Sequence, residues 1–571
     1  MDTLLQPTYV YEETLNKQPL DADSFLVKQK NLTPTIDQQK GVGAYTSGKV
    51  IIDAQNFGNG TDFIDWSNAY IALPYHFKVN LTTVDSRTLG QYDPDMLVAP
   101  KNMSLVESIR VEQAGRTIVQ ESSNLSHLVN FIKHTTTSPN ELYHQDSVLG
   151  YYPDGCDLTE QQTGIWGTYN NSNYFFDDVN DAPLVKCPSY NEGLYRRQLL
   201  LGPGNQFTNF VSAATGGLNE AAVYQEVTAG ETATTALTGN VAKTISDQHF
   251  IAIIKLADLS DYFKKHPLSK CGYKITLTIN QASTTMISQD LQFSTSSVPG
   301  VTLRPFDSAA YYKPNPTTLY QNATVQPGML CVGRQGYNAS VALSGGTSIC
   351  TLTLTSEVDT SANTRQQGVI LYTPSYTLSD SAESKLLSQP IINKQPFMFN
   401  SSVYTGLTAA NNINLQLFSA ITNPRLLVVI PQYASSAQGQ ASQASAFNSV
   451  PGTTDALSLT RLQIRVNSKT ILPAPTSYSF EQFIQNTSQV LSVNGGVGSF
   501  ASGMIDIRKF SSNYRYYAFD LSLLPADQVD IPQLITFEGF NNSLVPVDLY
   551  VYCIYQTSAT FDLLKSTVDV K

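Results

Sequence analysis

Apolar and polar residues alternate along much of the chain with a period of two, the pattern of half-buried β-strands. Ser108–Gln113 alternates in this way, Ala114–Gly115 follows as a turn, and a second short run returns, so this region predicts a β-hairpin. Leu426–Ile430 and Val547–Tyr555 are almost continuously apolar or aromatic, which predicts strands covered on both faces. We therefore expect strands to dominate the chain after its first 40 residues.

Four segments have the composition and spacing of helices rather than strands. Asp258 is the expected N-cap of the second segment, and Ser479 with Gln482 forms a capping box at the start of the fourth. The four segments are Asn124–His134, Asp258–Lys265, Leu378–Leu387 and the stretch that contains Phe483-Ile484.

The same series of landmarks occurs twice along the chain. Each copy has an apolar strand with a proline near its end, then Ser-Leu, Ile-Arg-Val, Thr-Ile and a helix-like segment that contains Phe-Ile. A duplicated β-domain is a structural plan before it is a catalytic one, so the repeat favours a building block. The first copy comprises Ala69–Tyr75, Ser104-Leu105, Ile109-Arg110-Val111, Thr117-Ile118 and Phe131–Thr135, and the second comprises Leu426–Tyr433, Ser458-Leu459, Ile464-Arg465-Val466, Thr470-Ile471 and Phe483–Thr487.

The chain is expected to divide into an N-terminal arm and two β-domains. Residues 1–40 have no sustained period and predict the arm. The first domain is assigned to 41–285, with segments of loop composition at about 140–190 and about 200–247, and the second domain to 286–571. Long loops in compact proteins usually serve a function or contact partners. Many strands and few helices in both halves predict two antiparallel β-sandwiches of Greek-key or jelly-roll type.

The composition favours extensive contacts between subunits or a many-stranded β-protein, without deciding between them. Of the 571 residues, 42% are hydrophobic and only 14% are charged, and 31 are Tyr and 25 are Phe. Interface cores are poor in charge and rich in aromatic residues, but strands also favour Thr and aromatic residues. The net charge is −11 at pH 7 and no Lys- or Arg-rich run is present, which argues against direct wrapping of nucleic acid.

Targeting signals and cysteine usage point to a protein made in the cytosol. The first residues lack the basic stretch and long apolar core of a secretion signal, and no apolar run approaches the roughly 20 residues of a spanning helix. The six cysteines are scattered without a close pair, which is typical of reduced thiols. They are Cys156, Cys187, Cys271, Cys331, Cys350 and Cys553.

A search for catalytic motifs identifies no site. Gly43–Lys49 matches the phosphate-loop pattern G-x-x-x-x-G-K, but Val50 replaces the magnesium-binding Ser or Thr and a strand is expected to follow. His127 and His134 would share a helix face, yet no zinc motif surrounds them, and Asp177–Asp181 lacks the ligand spacing of a calcium loop. We therefore predict no catalytic, cofactor-binding or metal-binding residue. The carboxylate pair of a glycoside hydrolase could not be recognised without geometry.

Several collinear segments carry a resemblance to a known family. Leu256–Tyr273 is similar to the family pattern L-x-D-L-x-D-F-F-x-K-x-P-L-x-K-x-x-Y, a segment that closes the first of two jelly rolls. Landmarks of the second roll are similar to Tyr372–Leu378, Asn423–Pro431, Asn513–Tyr517 and Asp548–Val551. With these segments the chain resembles the double jelly-roll major capsid proteins of tailless icosahedral double-stranded DNA viruses, within them most of all those of polinton-like viruses and virophages.

The resemblance implies an all-β fold of two tandem eight-stranded antiparallel jelly rolls, with short helices and with long loop insertions that form outward towers. It implies a structural protein, not an enzyme, that needs no cofactor and forms homotrimeric, pseudo-hexagonal capsomers. These would contact neighbouring capsomers, penton proteins and minor capsid proteins and would tile an icosahedral shell around a double-stranded DNA genome. No small-molecule substrate and no sequence-specific binding of nucleic acid are implied. The implied location is the capsid shell of a virion, assembled in the host cell without secretion.

Two other classes of protein remain open at this point. A tandem jelly-roll carbohydrate-binding protein would place exposed aromatic residues on one sheet face, although Trp66 and Trp166 are the only tryptophans. A β-sandwich glycoside hydrolase would need two carboxylates in a cleft. A stable trimer without such a cleft favours the capsid protein, and a monomer with a deep acidic cleft favours the hydrolase.

Overall fold

The structure is a computed structural model, and the following description concerns the residues that it places. These are 27–37, 48–60, 62–84, 102–120, 122–151, 243–280, 282–289, 349–358, 368–433, 459–467, 469–471, 478–491, 503–512, 514–522, 531–542 and 546–570. The calcium-loop candidate at 177–181, Trp166 and most of both loop-composition segments lie outside these residues.

The structure describes eleven strands between residues 27 and 378, which form two antiparallel sheets, and eight of these strands make up a sandwich. One sheet has the order β1-β11-β4-β7 and the other β2-β8-β5-β6. Numbered one to eight along the chain, with β3, β9 and β10 set aside, these orders are 1-8-3-6 and 2-7-4-5, which is the order of a jelly roll. The strands are β1 (Val27–Ile36), β2 (Lys49–Asp53), β3 (Phe63–Ile64), β4 (Tyr70–Val84), β5 (Val106–Gln113), β6 (Arg116–Val119), β7 (Lys243–Lys255), β8 (Lys274–Ile279), β9 (Ala282–Gln289), β10 (Ile349–Val358) and β11 (Ile370–Leu378).

A second jelly roll follows, and its described residues form eight strands without an additional one between them. Its sheets have the orders β13-β20-β15-β18 and β14-β19-β16-β17, again 1-8-3-6 and 2-7-4-5. A separate three-stranded sheet has the order β12-β21-β22. The strands are β12 (Ile391–Lys394), β13 (Phe397–Leu407), β14 (Asn411–Ile421), β15 (Pro424–Tyr433), β16 (Leu459–Val466), β17 (Lys469–Thr470), β18 (Tyr517–Asp520), β19 (Gln533–Asn541), β20 (Val547–Gln556), β21 (Ala559–Asp562) and β22 (Thr567–Val570). The predicted fold class, all-β with two tandem eight-stranded jelly rolls, is confirmed.

The long strand β4 extends the first roll beyond its ordinary length. Its first residues pair with β11, and its last part, from Tyr75 to Val84, pairs with β10, which in turn pairs with β9. On its other edge β4 pairs with β7 along almost its whole length. The strands β7, β4, β10 and β9 therefore continue together past the sandwich as a four-stranded extension.

All four predicted helical segments are helical, and the described residues contain two further α-helices that were not predicted. The second segment consists of two short helices whose break is capped by Ser260, so Asp258 is not the cap. The predicted capping box is confirmed, since Gln482 N–H donates to Ser479 Oγ at 3.3 Å and Ser479 N–H to Gln482 Oε1 at 3.2 Å. The helices are α1 (Leu125–Thr136), α2 (Pro139–Leu149), α3 (Leu256–Leu259), α4 (Asp261–Lys264), α5 (Asp380–Ser388), α6 (Phe480–Leu491) and α7 (Ile507–Ser512).

The predicted hairpin and the strand after the phosphate-loop match are also present. Ala114 and Gly115 have φ of 48° and 81°, the left-handed pair that a two-residue hairpin turn needs. Lys49 begins strand β2, so the chain there continues as a strand and not as the helix of a phosphate loop. Among the described residues, no helix is long and apolar enough to cross a membrane.

The internal repeat corresponds to equivalent strands of the two rolls. Ile-Arg-Val lies on β5 in the first copy and on β16 in the second, and each pairs with the seventh strand of its own roll. The helix-like segments are α1 and α6, which both follow the fourth and fifth strands. In both helices a threonine donates to the carbonyl of the phenylalanine four residues earlier, Thr135 to Phe131 at 2.9 Å and Thr487 to Phe483 at 2.7 Å. The duplication predicted from sequence is therefore a duplication of structure.

The positions of the first and last strands differ from the predicted domain limits. Strand β1 lies inside the segment 1–40 that was predicted to be an arm, and it forms the edge of the first roll. Strand β11, which includes the landmark Tyr372–Leu378 assigned to the second roll, is the eighth strand of the first. Leu256–Tyr273 therefore lies between the sixth and seventh strands and does not close that roll. The predicted limit between 285 and 286 falls inside the insertion that separates β8 from β11.

Candidate functional site

The two rolls are joined by a buried layer of helices, which a single roll would lack. Helix α1 belongs to the first roll, where Leu125 and Val129 pack into its core. On the opposite side of the helix, Leu128 and Phe131 pack with residues of the second roll. We call this second group the inter-roll layer; it comprises Leu128, Phe131, Leu426, Val428, Ile430, Phe483, Ile505, Phe510, Tyr514, Tyr516, Ala518, Tyr552 and Ile554.

The inter-roll layer explains why two strands of the second roll are so apolar. The inward side chains of β15 and β20, such as Leu427 and Val551, fill the sandwich of the second roll. Their outward neighbours, such as Val428 and Tyr552, pack into the inter-roll layer. Both faces are thus removed from water, as predicted from the continuous apolar runs. Burying a side chain of this size contributes roughly 1.5–3 kcal/mol, so the layer stabilises the pairing of the rolls strongly.

Polar contacts fix the position of α1 on the second roll. Tyr552 Oη donates to the carbonyl of Asn124, the residue before α1, at 2.8 Å. Ser122 Oγ donates to the carbonyl of Phe399 on β13 at 3.2 Å. Both acceptors are main-chain carbonyls, so the helix is held at a defined place as well as by apolar packing.

The two histidines predicted to share a helix face both face the second roll. The ring of His127 lies 4.4 Å from that of Tyr550, and Nδ1 of His134 lies 3.0 Å from Tyr516 Oη. Both rings are buried. Within the parts of the chain that the structure describes, no group of three or more His, Cys, Asp or Glu side chains is arranged to hold a metal ion.

Gly503 allows the closest approach of main chain within this region. Its φ is +66°, and a Cβ atom there would lie 2.3 Å from the carbonyl oxygen of His134. The next residue, Met504, donates its N–H to the same oxygen at 2.8 Å. A side chain at position 503 would be strained and would separate the two rolls here, so only glycine fits.

The C-terminal sheet makes a second connection between the rolls. Its strand β12 belongs to the segment that links the rolls, and β21 and β22 follow the last strand of the second roll. Gln113, at the end of β5 in the first roll, donates to Ser566 O at 3.0 Å and accepts from Val568 N–H at 2.9 Å. Arg116 and Asp569 add an exposed ion pair at 3.0 Å. The chain thus returns from the second roll to the first.

A fully enclosed polar cluster lies in the segment Leu256–Tyr273. His266 Nε2 lies 2.6 Å from Tyr273 Oη, and the hydroxyls of Tyr262 and Tyr273 lie 2.8 Å apart. His266 Nδ1 lies 2.7 Å from the carbonyl of Pro267, which only accepts, so Nδ1 carries the proton and Nε2 accepts from Tyr273. Burial lowers the pKa of His266 to about 3 and raises that of Tyr273 well above its usual value. All three side chains are buried, so the cluster has no access for a substrate.

Trp66 and two of the cysteines are enclosed as well. Trp66 packs edge-on against Tyr273 with ring centres 5.0 Å apart, and its Nε1–H donates to Cys271 O at 2.9 Å. The ring is fully buried and is therefore closed to a sugar. Cys271 and Cys553 are buried free thiols, and burial raises the pKa of both, so they are thiols and poor nucleophiles.

A cleft of about 1010 Å³ lies between α1, the helices α3 and α4, and the outward side of β13 and β20. Its acidic side chains include Asp258 and Asp261, which form ion pairs with Lys133 at 2.7 Å and with Lys265 at 2.9 Å. Asp261 also accepts the main-chain N–H of Phe397 at 2.8 Å. A glycosidase needs one carboxyl group that donates a proton and a second that acts as base or nucleophile, and Asp258 and Asp261 are each paired with a lysine instead. Glu141 also lines the cleft.

Comparison with known proteins gives likenesses at the level of structure. No model of a protein family matches the chain, and no curated protein sequence matches it. The major capsid protein of mavirus has 10% identity and a TM-score of 0.39, with 100% of this chain and 96% of that chain covered. The Faustovirus major capsid protein has 8% identity and a TM-score of 0.43, with 98% of this chain and 94% of that chain covered. PBCV-1 VP54, fitted into a reconstruction of the virophage Sputnik, has 10% identity and a TM-score of 0.38, with 98% of this chain and 99% of that chain covered.

Each likeness extends over both halves of the chain. The strand orders of the two sandwiches define the class of the fold: the chain is a double jelly roll.

Proposed function

We propose that this chain is a major capsid protein and that three copies form a capsomer with a pseudo-hexagonal outline. The observation that carries the proposal is the presence of two jelly rolls with identical strand order in one chain. Three chains with two similar rolls each provide six similar domains around one axis. Six similar domains can occupy a hexagonal lattice although only three chains are present, and this is a reason for a duplicated domain.

The rigid connection of the rolls supports the same function. The inter-roll layer and the C-terminal sheet both hold the second roll on the first. A lattice needs subunits of fixed shape, because a change of angle inside each subunit would be multiplied around the shell. A flexible tandem of binding domains would instead be joined by a linker with few contacts across it.

We propose a division of the chain that follows the strands. The first roll extends from β1 to β11 and the second from β13 to β20. The C-terminal sheet combines β12, which lies between the rolls in the sequence, with β21 and β22, which follow the second roll. Residues 1–26 precede the first described strand and remain as a candidate arm. The arm is then shorter than the 40 residues expected from the sequence pattern.

The expected partners follow from this assignment. They are two further copies of the chain, neighbouring capsomers, and the penton and minor proteins of an icosahedral shell around a double-stranded DNA genome. The location is the capsid shell of a virion, in the group of polinton-like viruses and virophages. A structural role without catalysis agrees with two observations. Asp258 and Asp261, in the cleft between α1 and α4, are paired with lysines, and the His266 cluster is enclosed.

The mass of the purified chain in solution tests the proposal. We expect light scattering coupled to size exclusion to give about three times the 62.5 kDa of one chain, unchanged on dilution. Images of this species should show hexagonal outlines. A stable monomer of 62.5 kDa would contradict the proposal, and sugar-binding and hydrolase assays would then follow.

A further inference from the structure

The outward face of the first roll's β1-β11-β4-β7 sheet is the counterpart of the face that the inter-roll layer covers on the second roll. On the second roll the outward residues Leu426, Val428 and Ile430 of the third strand are completely buried by helices. On the first roll, the third strand is β4, where the outward residues Tyr70 and Ala72 are half-buried and the next one, Pro74, is buried. Among the residues that the structure describes, the two equivalent sheet faces thus differ in how far other parts of the chain cover them.

The uncovered face is apolar across several strands. Ile36 on β1 pairs with Ile370 on β11, which pairs with Ala72 on β4, so that one apolar row crosses the sheet. The next row brings Tyr372 and Tyr70 together, and their rings stack with centres 5.1 Å apart. Along the sheet edges, Leu32 is 49% exposed, Ile36 37% and Ile251 38%. Apolar side chains that are contiguous on one face mark an interaction surface.

We propose that this face of the first roll, the β1–β11–β4 face, binds the helical layer of the second roll of another copy of the chain. The inference rests on the proposed function and names the surface by which the copies join. Within one chain, the sheet face of the second roll is already covered by a helix of the first. Repeating a roll-to-roll contact of this kind between chains joins the second roll of each copy to the first roll of the next.

The exposed side of the second roll's helical layer has the chemistry that such a contact needs. Ile507, at the start of α7, is 56% exposed and adjoins the buried residues of the layer. Helix α6 of this layer is the equivalent, in the second roll, of α1, the helix of the first roll that covers the sheet of the second. The equivalence of the two rolls therefore places the helical layer of one copy against the β1–β11–β4 face of the next, with exposed apolar side chains on both surfaces.

The contact is heterologous, because different surfaces of the two copies meet. Such contacts generate a closed ring when the rotation between successive subunits closes, and otherwise an open filament. With two rolls in each chain, three copies give a ring of six rolls. A face-to-face contact between two identical β1–β11–β4 faces would stop at a dimer and would not give this ring.

The test compares three substitutions of exposed apolar residues by lysine. Leu32→Lys changes the β1–β11–β4 face and Ile507→Lys the helical layer, while Leu564→Lys is a matched control at a residue that is 65% exposed outside both surfaces. All three positions face solvent in the single chain, so each variant should fold with the circular dichroism spectrum of the natural chain. We expect Leu32→Lys and Ile507→Lys to lose the trimer and run as monomers, and Leu564→Lys to remain a trimer.

A mixture of the two monomeric variants gives a sharper result. The Ile507→Lys chain keeps an intact β1–β11–β4 face and the Leu32→Lys chain keeps an intact helical layer, so one good contact can form between them. We expect native mass spectrometry to detect a one-to-one heterodimer in the mixture and monomers in the separate samples. Trimeric Leu32→Lys, or a mixture without heterodimer, would overturn the inference.

The outcomes separate this inference from the proposed function. If the natural chain and the Leu32→Lys variant are both trimers, the capsomer remains and the face is covered by something else, such as residues 1–26 or another capsid protein. If the natural chain is itself a monomer, both proposals are wrong.

Discussion

His266 shows how a titratable side chain can serve packing alone. Its ring is enclosed by Tyr262, Tyr273 and Phe561, the last of which comes from the C-terminal sheet. Both ring nitrogens have partners, Nδ1–H donating to Pro267 O and Nε2 accepting from Tyr273. This arrangement is complete only while the ring is neutral, because a protonated Nε2 could no longer accept a hydrogen bond.

The neutral state of His266 predicts a loss of stability in mild acid. Its pKa is about 3 in the folded protein and about 6.5 in an unfolded chain. Between these values only the unfolded chain takes up the proton, so the contribution of His266 is complete above pH 6.5 and falls as the pH is lowered. From pH 7 to pH 5 the free energy of unfolding should decrease by about 2 kcal/mol through this residue.

A His266→Gln variant isolates this effect, since its amide can replace both hydrogen bonds but does not titrate. Urea unfolding of both proteins at one protein concentration, between pH 7.5 and 5, measures the two slopes. We expect the variant to be less stable at pH 7.5 and to lose less stability on acidification. Equal slopes would show that His266 is not the responsible group.

Sequence patterns identified the helices and strands whose own residues carry a local signal. The hairpin of β5 and β6, the helix α6 with its capping box and the doubly covered strand β20 all have such local signals, and all were found. Strand β1 has none: no residue of it is buried, and its residues are mostly polar. It is a strand because it pairs with β11, more than 300 residues later along the chain. A single sequence contains no pattern that reveals a pairing over this distance.

The connection through Gln113 could not be predicted from sequence either, because its partners Ser566 and Val568 lie far away in the chain, near the C-terminus. We expect Gln113→Ala to lower the free energy of unfolding by about 1–2 kcal/mol, because two hydrogen bonds to main-chain groups are lost. The amide of Val568 should exchange its hydrogen faster, since Gln113 is its acceptor. Hydrogen exchange measured by mass spectrometry on the C-terminal peptide detects this change.

Gln416→Ala is the matched control for this prediction. Gln416 lies exposed on β14 of the second roll, away from the C-terminal sheet. Its substitution should change stability by less than about 0.5 kcal/mol and leave the exchange at the C-terminus unaltered. If Gln113→Ala behaves in the same way, the C-terminal sheet is not held to the first roll by this side chain.

For the whole molecule, strand direction decides where the long insertions are placed. Successive strands of a jelly roll run in opposite directions, so the connections alternate between its two ends. In the first roll, the described strand ends that flank the long insertions lie at one end of the sandwich: Val84, Lys243, Gln289 and Ile349. The register agrees, since Val84 lies opposite Cys350 and Ile349 opposite Gln289. The hairpin turn at Ala114–Gly115 lies at the opposite end.

Under the proposed function, this placement predicts the orientation of the subunit in an assembled shell. If the insertion end faces outward, a short epitope inserted within 290–348 should be bound by antibody on intact particles. The same epitope inserted between Ala114 and Gly115 should be bound only after the particles are dissociated into trimers. Both sites are connections between strands, where insertions are tolerated best, so both variants should still form trimers. Antibody binding to intact particles through the Ala114–Gly115 site alone would reverse the orientation, because it would place the short connections on the outside.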